Sequence, residues 1–103
     1  MKKIKNFIDG VFTDADDYIH RISPSTEKVL SSFPRSSKRH VDLAVKSSIK
    51  AFDSWSNLSP VKRGKILLNF VIILKKNKKK LAEIVAKETG KIFSHALGEV
   101  EGS

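Results

Sequence analysis

The spacing of apolar residues changes once along this chain, near residue 36. Before that point, short apolar runs alternate with turn residues. Phe7-Ile8 and Val11-Phe12 flank Asp9-Gly10, a dipeptide that accepts the positive φ values of a type I′ turn, so a tight hairpin is expected over residues 5–12. Tyr18 to Ile22 predicts a strand, Ser23 to Lys28 a turn around Pro24, and Val29 to Phe33 a second strand stopped by Pro34. These two strands are expected to pair as a second hairpin. After residue 36 the spacing becomes three and four. Ser37 is the expected cap of a helix over about 38–55, with a buried stripe of Val41, Ala44, Val45, Ser48, Ile49, Phe52 and Trp55. Ser59-Pro60 starts the next helix, because a proline N–H would have no partner at the first helical position anyway. It spans about 60–89, with a kink or short break near Asn77, and Gly90 ends it in the left-handed conformation. A last helix begins at Phe93 and covers 93–103. The expected fold class is α+β: two short β-hairpins in residues 1–36, then two or three helices in residues 37–103. A helix begun this close to Ser103 buries little, so the expectation is an incomplete domain.

Composition narrows the function classes. The chain has 103 residues, 40% hydrophobic and 30% charged, which fits a soluble globular sequence of one domain or part of one. It has no cysteine, which excludes disulfides, thiolate metal sites and a cysteine nucleophile within these residues. Met1-Lys2-Lys3 mimics the charged start of a signal peptide, but Asp9, Gly10 and Asp14 interrupt the apolar stretch that should follow. The run Phe70 to Leu74 is far too short to span a bilayer, so a cytoplasmic protein without membrane contact is expected. The net charge of +9 is concentrated between residues 60 and 91, including Lys75, Lys76, Lys78, Lys79 and Lys80. This basic helix reads first as a solvated face. A small nucleic-acid-binding module is the alternative, but base-stacking aromatics are not interleaved with these lysines.

Candidate chemistry is sparse. His20, His40 and His95 share no ligand spacing, and no serine sits in a nucleophile elbow. The glycines at 10, 64, 90, 98 and 102 are isolated, so no phosphate-cradling loop is present. Asp16-Asp17 reads as a solvated pair in a turn. Taken alone, these residues specify no reaction.

The order of motifs carries a resemblance. Asn6-Phe7-Ile8-Asp9-Gly10, Ile22-Ser23-Pro24-Ser25-Thr26, Val41-Asp42-x-Ala44-Val45, Ala51-Phe52-x-x-Trp55, Arg63-Gly64-Lys65-Ile66-Leu67 and Glu88-Thr89-Gly90-Lys91 follow one another with the gaps of the aldehyde dehydrogenase superfamily. The chain resembles the N-terminal part of that α/β fold from about residue 5 to its end. The resemblance implies NAD(P)-dependent oxidation of an aldehyde to an acid. In the family a cysteine thiolate attacks the aldehyde, hydride passes to the nicotinamide, and a glutamate activates water. All of these parts lie outside these residues, so no catalytic or cofactor-binding residue is expected here. NAD or NADP is the cofactor of the full-length family, and neither is expected to bind this chain. The implied partner is the remainder of the dehydrogenase fold, or further copies in an oligomer. A structural docking piece for a separate catalytic chain is a second alternative.

The family's structural monovalent cation would carry over to the Ile22 carbonyl and the Glu88 carboxylate. Four departures stand out: the family usually has Asn at Ser23, Gly at Glu27, an acid near His40 and Pro at Ile92. A non-glycine at 27 puts that turn in question, and a positive charge at 40 would oppose the helix dipole.

Overall fold

A computed structural model describes residues 2–103. The element order is β1 (Lys2–Lys3), β2 (Asn6–Ile8), β3 (Val11–Thr13), β4 (Asp17–Ile22), β5 (Val29–Arg35), α1 (Lys38–Ser56), α2 (Pro60–Lys76), α3 (Lys78–Thr89) and α4 (Phe93–Glu101). The chain divides into two compact units. One is Met1–Arg21 with Val29–Ser59; the other is Ile22–Lys28 with Pro60–Ser103. Compactness therefore groups the strands with α1 and the Pro24 turn with the later helices, a different grouping from the division at residue 36.

In the first unit, β2 and β3 pair antiparallel with Asn6 opposite Thr13, Phe7 opposite Phe12 and Ile8 opposite Val11. Asp9 and Gly10 have φ values of 53° and 75°, as a type I′ turn requires. The Phe7 and Phe12 rings meet across the ladder at 5.0 Å. A second sheet has the strand order β1-β5-β4. The pairing of β4 with β5 was expected; the parallel pairing of β1 with β5, Lys2 opposite Ser31 and Lys3 opposite Ser32, was not. Central placement buries Ser31 and Ser32. The expected stop at Pro34 is corrected, since β5 runs through it to Arg35. The Ser32 carbonyl accepts from Ile4 N–H at 2.8 Å on the β1 edge. Two residues on, Pro34 faces the same edge past the end of β1, where its missing N–H breaks no ladder bond.

Ser37 caps α1 with extended backbone at φ −85° and ψ 171°. Its N–H donates to His40 Nδ1 at 3.2 Å, and its hydroxyl lies 2.9 Å from the same nitrogen. Nδ1 is therefore the lone-pair nitrogen, and buried His40 fills the role a glutamate has in a capping box. The side chain at 40 serves the helix start by accepting a hydrogen bond, not by its charge. The expected buried stripe of α1 is corrected: Val41, Val45, Ile49, Phe52 and Trp55 are all exposed, and His40 is the helix's only buried residue. Periodicity identifies a face that needs cover, but it does not supply the cover.

In the second unit, α2 begins at Pro60 as expected and buries no residue. The expected 60–89 helix is divided at Asn77. The Asn77 amide Nδ2 donates to the Ile73 carbonyl at 2.9 Å, ending α2, and α3 starts at the next residue. Gly90 ends α3 with φ 75°, and its N–H donates to the Ala86 carbonyl at 2.9 Å. The buried apolar residues of the described chain are Ala82 in α3 and Ala96 in α4, two small side chains.

Candidate functional site

The Pro24 turn and the end of α3 lie together in the second unit. Ser23 N–H donates to the Lys28 carbonyl and Glu27 N–H to the Ser23 carbonyl, both at 2.9 Å, closing a tight loop. Ser23 is buried, and its hydroxyl accepts from Thr26 N–H at 3.3 Å. A serine can therefore hold this turn where the family usually has asparagine. Glu27 sits at φ +56°, the left-handed region that a glycine would occupy without strain. A Cβ built at Gly90 would lie 3.6 Å from Pro24 Cβ, so the helix end and the turn are in van der Waals reach. Ile22 enters this turn from β4, and Glu88 stands in the last turn of α3 two residues before Gly90. Lys91 and Glu99 form an ion pair just beyond.

In the first unit, β2, β3 and α1 border a groove of about 550 Å³ whose walls include Asp9, Thr13, Asp14, Arg39, His40 and Lys50. Several of its polar groups are engaged within the unit, while the buried Thr13 hydroxyl has no hydrogen-bond partner. Asp9 accepts from the Ser47 hydroxyl at 3.0 Å. Asp14 accepts from the Tyr18 hydroxyl at 2.8 Å and ion-pairs with Lys5 at 3.0 Å and Lys3 at 3.2 Å. The Lys3 ammonium also lies 4.2 Å from the centre of the Tyr18 ring. The Tyr18 hydrogen bond first, then Lys5 and Lys3, hold the Asp14 carboxyl well below its ordinary range. The bond to Asp14 holds the Lys3 ammonium above its own. A carboxylate held so strongly ionised is a poor proton acceptor, so this cluster anchors the chain and offers no general base. Asp16 and Asp17 diverge: one pairs with Arg39 at 3.8 Å, the other with Arg35 at 3.9 Å. Sequence reading missed the Lys3–Lys5–Asp14–Tyr18 cluster. Period-2 alternation places both lysines on one side of the segment, but no local rule brings residues 14 and 18 to them.

The three histidines are apart on β4, α1 and α4, and no group of three or more His, Asp or Glu that could hold a metal occurs among the described residues. On the basic helix, Lys78 pairs with Glu101 at 3.0 Å. No helix among the described residues is long and apolar enough to cross a membrane.

Strand order, the two turns and the helix ends together define a fold seen in known proteins. Residues 12–103 match the aldehyde dehydrogenase family. The malonate-semialdehyde dehydrogenase of Bacillus velezensis is 37% identical over 102 residues, covering 97% of this chain and 21% of that protein. The NADP⁺-dependent D-glyceraldehyde dehydrogenase of Picrophilus torridus is 36% identical over 101 residues, covering 96% and 20%. Among solved structures, 3,6-anhydro-L-galactose dehydrogenase superposes with a TM-score of 0.93 at 28% identity, covering 97% of this chain and 21% of that one. The NAD-dependent aldehyde dehydrogenase of Sinorhizobium meliloti gives 0.90 at 29%, with the same two coverages. The chain belongs to the aldehyde dehydrogenase family, and its structure is that of the N-terminal part of the family fold. It spans about a fifth of the length of these relatives.

Proposed function

We propose that these residues are the N-terminal part of an NAD- or NADP-dependent aldehyde dehydrogenase, which oxidises an aldehyde to a carboxylic acid. The catalytic and cofactor-binding residues belong to other parts of that fold. What carries the reading is the match of nearly the whole chain, 96–97%, to 20–21% of each relative. The chemistry of the chain supports it. There is no cysteine to supply a thiolate. The residues also do not fit a dinucleotide. Glycines are isolated, and the connection from β5 to α1 is closed by Ser37 and His40 where a glycine turn would have to admit a pyrophosphate. No catalytic step is therefore assigned to this chain. Its part is structural: it presents apolar helix faces for the rest of the fold to cover.

The Ile22 carbonyl and the Glu88 carboxylate are proposed as two ligands of a structural monovalent cation. The approach of Pro24 to Gly90 supports this, since it brings the two elements together. A hard cation takes about six oxygens, so further ligands come from elsewhere in the fold.

Replacing the matched residues of the Bacillus velezensis enzyme with these 103 tests the reading. The chimera is expected to reduce NAD⁺ in the presence of its aldehyde, while the 103-residue chain alone does not. Turnover by the chain alone, or a folded chimera without turnover, would overturn it. In the same chimera, Glu88→Gln is expected to abolish the rise in melting temperature that Na⁺ or K⁺ gives. An unchanged rise removes the cation proposal alone.

A further inference from the structure

At about 100° per residue, Arg39, Leu43, Lys46 and Lys50 share one stripe of α1 about 60° wide, and no other residue of the helix falls in it. This stripe lies on the far side of α1 from the apolar positions Val41, Ala44, Val45, Ser48, Phe52 and Trp55; Ile49 stands at the edge of that apolar face. All four residues of the stripe line the groove of about 550 Å³, and Ile8 of β2 and Ile49 line it with them. A space of this size suits a small molecule. Leu43 and Ile49 are exposed, so the apolar part of the wall is open to an incoming group. The charges of the groove differ in what they have left to bind. Asp9 accepts from Ser47, Asp14 is engaged by Tyr18, Lys5 and Lys3, and Arg39 faces Asp16 at 3.8 Å. Lys46 and Lys50 make no hydrogen bond or ion pair among the described residues. They stand one helical turn apart, where their stems can lie along an apolar wall and both ammonium groups can serve one ligand. Free cations beside an apolar wall, with the neighbouring acids already engaged, favour an anion and disfavour a cation.

We propose that this groove binds a small organic anion, with a carboxylate or phosphate head on Lys46 and Lys50 and an apolar body against Ile8, Leu43 and Ile49. Every residue of the site lies in the first unit, so the proposal depends on no part of the family reading.

The test titrates the 103-residue chain with octanoate, octyl phosphate and octan-1-ol, and follows the methyl NMR signals of Ile8 and Leu43. These signals report the groove and not the apolar faces elsewhere. Both anions are expected to shift them and to bind at least about fivefold more tightly than the alcohol at low salt, with the margin shrinking as salt rises. Acetate and inorganic phosphate, heads without a body, are expected to bind far more weakly. The tighter of the two long anions identifies the head, and either order supports the site. Lys46→Gln combined with Lys50→Gln is expected to erase the anions' advantage and leave the alcohol's binding as it was. Lys46→Arg combined with Lys50→Arg should keep the advantage, and Lys75→Gln on α2 should not alter it. Lys46 and Lys50 are exposed, so their replacement removes no buried packing, and unchanged circular dichroism confirms the fold. Equal binding of anions and alcohol overturns the proposal. So does an advantage that survives the double glutamine variant, or probes that move other methyl signals and leave those of Ile8 and Leu43 in place. None of these results touches the chimera's turnover, so the family reading stands or falls separately.

Discussion

Glu27 shows how one residue can carry a cost that the rest of the chain absorbs. Its φ of +56° places its Cβ against the following carbonyl, a strain of about 1–2 kcal/mol for an L residue. Two hydrogen bonds across the Ser23–Lys28 loop hold it there. Glu27→Gly removes the strain at some cost in unfolded-state entropy. The expected net is a stabilisation of up to about 1 kcal/mol, read as a higher urea midpoint, with no such gain for Glu27→Ala. Asp14 makes the matching case for charge. Its folded-state pKa lies below the ordinary 3.8, so its contribution is present above about pH 4 and is lost as pH falls through the folded value. The stability difference between the chain and Asp14→Asn is expected to shrink steadily from pH 5 downwards. A difference that stays constant or grows would remove the ionised Asp14 from the anchoring cluster. The departure at Glu27 was legible only through the resemblance, because the family usually has glycine there; that the position is left-handed comes from the structure. The Asp14 cluster was not, because its partners are nine and eleven residues away with no periodicity to link them.

At the scale of elements, the chain ends its helices where local chemistry says it must. Ser37, Pro60 and Gly90 were legible because each meets a need confined to one helix terminus. The break at Asn77 was legible as a gap in the apolar pattern, and the structure adds the side-chain bond to Ile73 that makes it. The parallel pairing of β1 with β5 was not, because two residues carry no pattern and the partner lies far along the chain. The same failure produced the error at Pro34: without β1, the end of the neighbouring edge could not be placed. His40 was misjudged as a charge when its part is that of an acceptor. His40→Gln keeps an acceptor at the third helical position and is expected to leave stability nearly unchanged. His40→Ala should lower it by about 1 kcal/mol or more, since a capping bond and a buried ring are both lost. Equal effects of the two substitutions on the thermal midpoint would show that packing, not the cap, is what His40 supplies.

The molecule as a whole exposes 8276 Å². A compact globule of this mass exposes about 5,800 Å², and two separate globules of half the mass about 7,000 Å². Large apolar side chains on strands and helices alike stand exposed, Phe12 and Ile49 among them, and the buried apolar residues among the described residues are two alanines. The 103-residue chain is therefore expected to bind a hydrophobic dye strongly, to associate as concentration rises, and to unfold over a broad range. A sharp calorimetric transition in a monomeric sample would contradict this. Sequence periodicity placed the helical segments, with one helix expected over 60–89 where the structure has two, yet it could not say which faces are covered, because periodicity records only which side of a helix is apolar. The parallel β1–β5 ladder also orders events in time. Lys2 and Lys3 are synthesised about thirty residues before Ser31 and Ser32, a wait of roughly 2–6 s on a ribosome adding about 5–20 residues per second. Once Thr13 has been added the β2–β3 hairpin can close, while the first strand has no edge to join. Of the two paired strands, the one made first is thus the one that waits.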